Sequence, residues 1–323
     1  MPDDVLVSAA AHAEFGDLLA AAAPVARFLV ATAEGVADVK GEPVPEPAPT
    51  VAWLSSDLFA GGAGVRWFAP LVAGSPRLRW VHSSTAGLDS PLFGRLAARG
   101  VRVTAAHIYA APVSEFVLRA VLDEFQSAAG WRAAQAEGVW RPHEFREVAG
   151  SRWTVVGLGD IGSAVARAAS ALGAEVTGVA RTRPADSAVA FAPADELLGL
   201  LPDSDVVVLA RSAEPDAPPL VDAAFLAAMA PGSVLVNVAR GSLVDETALV
   251  AALDAGAPGR AVLDVTATEP LPVDSPLWTH SGVVLTPHTS GQGHGRYRRG
   301  AEVFASMLTD DTLTDDTRST FHD

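Results

Sequence analysis

The chain predicts an α/β fold built from two doubly wound domains, and three observations carry that prediction. Short β-rich segments alternate with helical ones along the whole sequence, the pattern of a mostly parallel sheet covered by helices. A length of 323 residues is enough for two separate cores. Near the middle, the stretch Val155-Val156-Gly157-Leu158-Gly159-Asp160-Ile161-Gly162 leaves an apolar strand and enters an alanine-rich helix.

In chain order, strands are expected at residues 28–31, 51–54, 78–82 and 101–104, before that glycine-rich turn. Residues 41–50 are proline-rich and acidic, which reads as an extended surface connection. A long helix is expected from Pro112, a favourable first-turn residue, to Phe125, dividing the two sets of strands. Beyond it come strands at 153–156, 175–180, 205–210, 233–239, 260–265 and 283–286. The polar end, residues 309–323, reads as a loose tail.

Each glycine of the central turn has a physical task. Gly157 permits the tight turn, Gly159 admits close approach of a pyrophosphate, and Gly162 lets the helix pack near the sheet. The free amides of that helix start, from Leu158 through Ile161, then face phosphate oxygens. The turn therefore predicts a Rossmann-like dinucleotide site. Which dinucleotide depends on the end of the next strand, where a carboxylate about 20 positions on would accept from a ribose 2′-hydroxyl. This chain has Arg181, Thr182 and Arg183 there, and Glu175 lies at the wrong end of the strand. Guanidinium groups suit a 2′-phosphate, so NADPH is the favoured cofactor, with NAD as the alternative.

Composition narrows the partners. A net charge of −15 and a sequence pI near 4.9 argue against nucleic acid. The one basic cluster, Arg296-Tyr297-Arg298-Arg299, is too short to reverse that. With no cysteine, disulfides, thiolate catalysis and Cys-ligated zinc drop out together. The start Met1-Pro2-Asp3-Asp4 lacks a basic leader, and Glu14, Asp17 and Arg27 interrupt the alanine-rich run that follows. A soluble cytoplasmic protein without a metal or a membrane partner is expected. No G-x-S-x-G elbow or H-E-x-x-H motif points to a hydrolase.

Loops at the carboxyl ends of strands are where chemistry should be sought, in a cleft expected between the two domains. Three such ends carry unusual residues: Arg240 after Ala239, Glu269 downstream of Asp264, and His288 after Thr286-Pro287. A fixed cation, a carboxylate and an imidazole are what reduction of a 2-oxo acid requires. The cation binds the substrate carboxylate and polarises the carbonyl, the imidazolium donates a proton, and the carboxylate holds the imidazole charged and oriented. The nicotinamide supplies the hydride.

The run Leu235-Val236-Asn237-Val238-Ala239-Arg240-Gly241-Ser242-Leu243-Val244-Asp245-Glu246 resembles the signature of the D-isomer-specific 2-hydroxyacid dehydrogenases. So does the block Ala261 to Val265 with Glu269-Pro270-Leu271-Pro272 and Pro276-Leu277-Trp278, followed by Thr286-Pro287-His288. The resemblance extends from about Trp80 onward. It implies Arg240 as substrate-binding and carbonyl-polarising, His288 as acid/base and Glu269 as its partner. It also implies Asp264 on the nicotinamide carboxamide with Ala239 nearby. The segment 78–89 resembles the family's strand-to-loop element, which puts the amides of Thr85, Ala86 and Gly87 on the substrate carboxylate. By the same resemblance, residues 107–290 form the dinucleotide-binding domain, residues 1–106 and 291–323 a discontinuous substrate domain, and the protein is a homodimer contacting through the helix from Pro112.

Two departures stand out. After Ala210 the chain reads Arg211-Ser212-Ala213-Glu214-Pro215-Asp216 where the family has a Pro-Leu-Thr type loop; Arg211 is the residue there that could reach a phosphate. Between Asp264 and Glu269 the family's phenylalanine is missing, although the spacing survives. The leading expectation is an NADPH-preferring reductase of a small 2-oxo acid such as glyoxylate or hydroxypyruvate. Trp53, in a segment that could close over the substrate, leaves bulkier acids such as phenylpyruvate open. The alternative from another class is a dinucleotide-sensing protein of the same fold. A formate-type dehydrogenase is disfavoured because Glu269 stands where a glutamine would.

Overall fold

The computed structural model describes residues 3–59, 63–85, 87–88, 90–185, 189–214 and 216–309. The backbone divides into two compact units, Met1–Ile108 with Gly293–Asp323, and Tyr109–Gln292. Unit 1 runs β1 (Asp4–Ser8), α1 (Ala9–Ala22), β2 (Arg27–Ala31), β3 (Val36–Asp38), β4 (Val51–Leu54), α2 (Ser56–Phe59), α3 (Ala63–Gly74), β5 (Trp80–Ser83), α4 (Pro91–Ala98) and β6 (Arg102–Ala105). Its sheet has the order β3-β2-β1-β4-β5-β6, parallel except for the β2–β3 pair. The order reverses between β1 and β4, so the carboxyl ends of those strands flank a switch point.

Unit 2 runs α5 (Ala110–Phe125), α6 (Ala128–Ala136), β7 (Arg152–Val156), α7 (Asp160–Ala171), β8 (Glu175–Ala180), β9 (Ala190–Pro193), α8 (Leu197–Leu200), β10 (Val206–Leu209), α9 (Ala223–Ala228), β11 (Val234–Asn237), α10 (Glu246–Ala255), β12 (Arg260–Leu263) and β13 (Val283–Leu285). Its seven strands are all parallel in the order β13-β12-β11-β10-β7-β8-β9. Two apolar layers cover the sheet. Val113, Val117 and Phe125 of α5 join Val165 and Ala169 of α7 against one face, while Phe225 of α9 and Leu249 of α10 pack on the other. After unit 2 the chain returns to unit 1 as α11 (Arg296–Thr309), whose Ala301 and Phe304 pack with Trp53 and Trp80.

The expected strands and the long helix are present, with ends displaced by at most two residues. β1, β3 and β9 are additional to them. β1 is a central strand whose Val5, Leu6 and Val7 are fully buried, so it lacks the alternation that marks a half-exposed strand, and an alanine-rich helix follows it without a break. The other two are short edge strands. Residues 41–50 form no named strand, only an isolated bridge between Ala37 and Pro43. Residues 310–323 of the expected tail lie outside the described residues, and Thr309 closes α11. No helix among the described residues is long and apolar enough to cross a membrane.

Candidate active site

The glycine turn sits where the strand order of unit 2 reverses, between β7 and β10. Gly157 has a φ of 98°, and a Cβ there would lie 2.6 Å from the Ala210 carbonyl oxygen, so only glycine fits both the backbone and the neighbouring strand end. At Gly162 a Cβ would lie 1.8 Å from the Gly157 carbonyl oxygen, which closes the helix onto the turn. At Gly159 a Cβ would meet nothing within 4 Å. Gly159 is also the N-cap of α7 and contributes no side-chain cap, so the amides of the first turn point out of the helix end toward the glycine turn. Closed on two sides and open at the third, this cradle fits a dinucleotide pyrophosphate. Leu158 points the other way, 8 % exposed, with its methyl groups against Gly178 of β8.

At the end of β8, Arg181, Thr182 and Arg183 are exposed. Neither arginine makes a hydrogen bond or ion pair with a described residue, and no carboxylate ends the strand. Arg211, by contrast, folds onto its own loop, with Nε donating to the Ser212 carbonyl (3.2 Å) and a terminal nitrogen to Glu214 (3.3 Å).

The three residues singled out for chemistry come from neighbouring parallel strands. Arg240 follows β11; its backbone is held by Asn237, whose amide nitrogen donates to the Arg240 carbonyl (2.9 Å) while its Oδ1 accepts from Ala239 N–H (3.0 Å). The Arg240 guanidinium donates to the Ala239 carbonyl at 2.8 Å. Glu269 lies in the loop after β12 and His288 in the turn after β13, and Glu269 Oε2 stands 2.8 Å from His288 Nδ1. The two side chains are 40 % and 53 % exposed, so the pair adds little to stability. What it determines is orientation: Nδ1 is engaged by the carboxylate, and Nε2 has no partner among the described residues.

Asp264 holds that histidine in place. Its side chain, in a residue 1 % exposed, accepts from Thr286 Oγ1 (2.7 Å) and Thr289 N–H (2.8 Å) on one oxygen and from Ser290 N–H (2.9 Å) on the other. Its backbone carbonyl accepts from His288 N–H at 2.8 Å. His288 has a φ of 49°, in the left-handed region that costs a non-glycine residue roughly 1–2 kcal/mol. Four bonds to one aspartate over-determine the turn and hold it there. The partners that the structure gives Asp264 are Thr286, Thr289 and Ser290.

In unit 1, Thr85 follows β5, with its Oγ1 donating to the Gly87 carbonyl (2.7 Å) and its N–H to Ser83 Oγ (3.3 Å). Ala86 lies outside the described residues. Trp53 is a correction: it is 1 % exposed and stacks on Phe304 at 5.1 Å between ring centroids. Its Nε1 donates to Ser84 Oγ at 3.0 Å. A large aromatic on a central buried strand joins the core, so Trp53 supports the Ser84–Thr85 turn from behind instead of facing a ligand. Asn237, Ser84 and Thr286 carry positions that the sequence reading did not assign. A polar residue closing an apolar strand, as Asn237 does, was the available signal.

Residues 97–290 match the family model for the NAD binding domain of D-isomer specific 2-hydroxyacid dehydrogenases. D-3-phosphoglycerate dehydrogenase of Mycobacterium leprae is 35 % identical over 249 residues, covering 74 % of this chain and 46 % of that protein. The chain thus spans about half the length of the curated relatives it matches first. Glyoxylate/hydroxypyruvate reductase A of Arabidopsis thaliana is 31 % identical, with 71 % and 73 % of the two chains covered. A solved structure of a D-isomer specific 2-hydroxyacid dehydrogenase from Xanthobacter autotrophicus Py2, in complex with NADPH and MES, matches with a TM-score of 0.72 at 31 % identity, covering 95 % of this chain and 94 % of that one. The chain belongs to the D-isomer specific 2-hydroxyacid dehydrogenases, a family of nicotinamide-dinucleotide-dependent oxidoreductases. Its two Rossmann-like sheets are those of that family.

Proposed function

We propose that this protein reduces a small 2-oxo acid of the glyoxylate or hydroxypyruvate kind to the D-2-hydroxy acid, with NADPH preferred over NADH. The observation that carries the reading is the pair of Glu269 and His288 at 2.8 Å, with the Nε2 edge of the imidazole unpartnered and Arg240 on the adjacent strand end. Arg240 binds the substrate carboxylate and polarises the carbonyl oxygen, and His288 Nε2 donates a proton to that oxygen as it becomes an alkoxide. Glu269 accepts from Nδ1–H and fixes the orientation of the ring. The bound dinucleotide supplies a hydride to the carbonyl carbon, so 2-oxo acid, NADPH and a proton give hydroxy acid and NADP⁺. The Gly157–Gly162 cradle holds the pyrophosphate, and Arg181 with Arg183 takes the 2′-phosphate. Relatives bearing the name glyoxylate/hydroxypyruvate reductase support the small substrate, and the NADPH complex of the Xanthobacter relative supports the cofactor.

The active form in this reading is a cytoplasmic homodimer joined through unit 2. Trp131, Trp140 and Phe145, beside α5, are 41 %, 95 % and 49 % exposed, an aromatic surface that a second copy would cover. The decisive experiment is a panel of 2-oxo acids assayed with NADPH and NADH, following loss of reduced-nicotinamide absorbance. Turnover of glyoxylate or hydroxypyruvate with NADPH is expected. Dinucleotide binding without turnover of any acid would identify a sensor, and preference for phenylpyruvate would enlarge the substrate class.

A further inference from the structure

The loop that carries Glu269 is tied to the turn that carries Arg240, and the tie runs through a residue given no role so far. Glu246, the first residue of α10, accepts from the Ala267 N–H through Oε1 at 2.7 Å. Asp245 caps that helix start through bonds from Thr247 and Ala248 N–H, so Glu246 is not itself needed as the cap. Beside this contact the two backbones touch: a Cβ on Gly241 would lie 1.9 Å from the Thr266 carbonyl carbon and 2.4 Å from Ala267 N. One residue along, Thr266 N–H donates to Glu269 Oε1 at 3.2 Å, while the other carboxylate oxygen faces His288. A continuous chain of contacts therefore leads from the Arg240–Gly241 turn and α10 through residues 266 and 267 to the carboxylate on the imidazole.

We infer that Glu246 is a positioning residue for the reduction: it holds the 266–269 loop against the Arg240 turn so that Glu269 stays on His288 Nδ1. The inference rests on the proposed roles of Glu269 and His288. A charge-assisted bond to a backbone amide is among the stronger neutral-donor contacts, and nothing else in the loop's hydrogen bonding reaches Ala267 N among the described residues. Loss of the contact frees the loop to move, and a displacement near 1 Å at a reacting group costs on the order of 10²-fold in rate.

The test compares Glu246→Ala, Glu246→Gln and Glu269→Gln in the full-length protein. The readouts are kcat and KM for glyoxylate with NADPH, the pH-rate profile of reduction, and the thermal midpoint. Glu246→Ala should lower kcat by about tenfold to a hundredfold and move the alkaline limb of reduction to lower pH, in the same direction as Glu269→Gln. Glu246→Gln keeps an oxygen acceptor for Ala267 N–H and should stay within about threefold of the parent, with the parental limb. If Glu269→Gln moves the limb and Glu246→Ala does not, the inference is overturned and the proposed function stands. If Glu269→Gln leaves the limb in place, Glu269 has no such role and both readings of it fail. A Glu246→Ala protein that loses only thermal stability also overturns the inference. Should that variant fail to fold, Glu246→Asp, one methylene shorter, replaces it, and a parental limb with parental kcat from it is overturning.

Discussion

His82, on β5 of unit 1, is fully buried, stacked on Phe304 at 5.7 Å between centroids and 2.9 Å through Nδ1 from Thr104 Oγ1. Thr104 also accepts from Trp80 Nε1 at 2.9 Å, and His82 Nε2 has no partner among the described residues. His288, at the end of β13 in unit 2, is half exposed, lies in left-handed backbone and faces a carboxylate. Burial pushes the His82 imidazole down to about 4 from an ordinary 6.5, helped by the charges of His107 and Arg102. Such a ring stays neutral and behaves as a flat core residue. The comparison teaches that an unpartnered imidazole nitrogen has opposite meanings in the two places. In the core it is an unmet polar group that costs stability; at an accessible strand end, with a carboxylate on the other nitrogen, it is an edge open to a ligand.

The sharpest way to break the contrast is to remove each ring. His288→Ala should lose about 10²–10⁴ in kcat while NADPH binding and the thermal midpoint persist, because an exposed acid contributes to rate and little to folding. Arg240→Lys should recover only part of the turnover lost in Arg240→Ala, since a lysine lacks the planar two-pronged donor. Steady-state kinetics with melting curves decide both, and a fully active His288→Ala would end the proposed mechanism.

For His82 the expected effect is on stability against pH. The unfolded chain binds this proton near pH 6.5 and the folded one only near 4, so the unfolded state gains protons first as pH falls. Stability from this group is present above about 6.5, declines between 6.5 and 4, and is lost below that, for a total of about 3 kcal/mol. His82→Phe should flatten the decline over that window in denaturant titrations. An unchanged slope would show that His82 is already charged, or accessible, in the folded protein.

A smaller effect concerns the cofactor end of unit 2. One charge-assisted bond contributes about 1.5–3 kcal/mol, so Arg181→Ala should weaken NADPH binding by roughly tenfold and leave NADH nearly unchanged. Equal loss for both, measured by fluorescence titration, would place the arginine on the fold or the pyrophosphate instead. Smallest of all is the displacement of the alkaline limb in Glu269→Gln, read from pH-rate profiles run in both directions.

The local chemistry of this protein is legible in the sequence because it depends on contiguous residues. The glycines of the 157–162 turn show in their spacing, the run from Leu235 to Glu246 in its resemblance to the family signature, and the alternation of strands and helices in its periodicity. What tertiary structure decided involves residues far apart in the chain. β1 is a central strand because β2 and β4 pair with its two edges, and Trp53 proves to be core because Phe304 of α11 returns to cover it. Asp264 grips residues 286–290 across 22 to 26 positions, and Glu246 reaches Ala267 across 21. Burial and partner geometry are properties of strand order, which brings remote segments to within 3 Å. A linear pattern specifies which side chains are present and leaves open which of them a neighbouring strand will saturate.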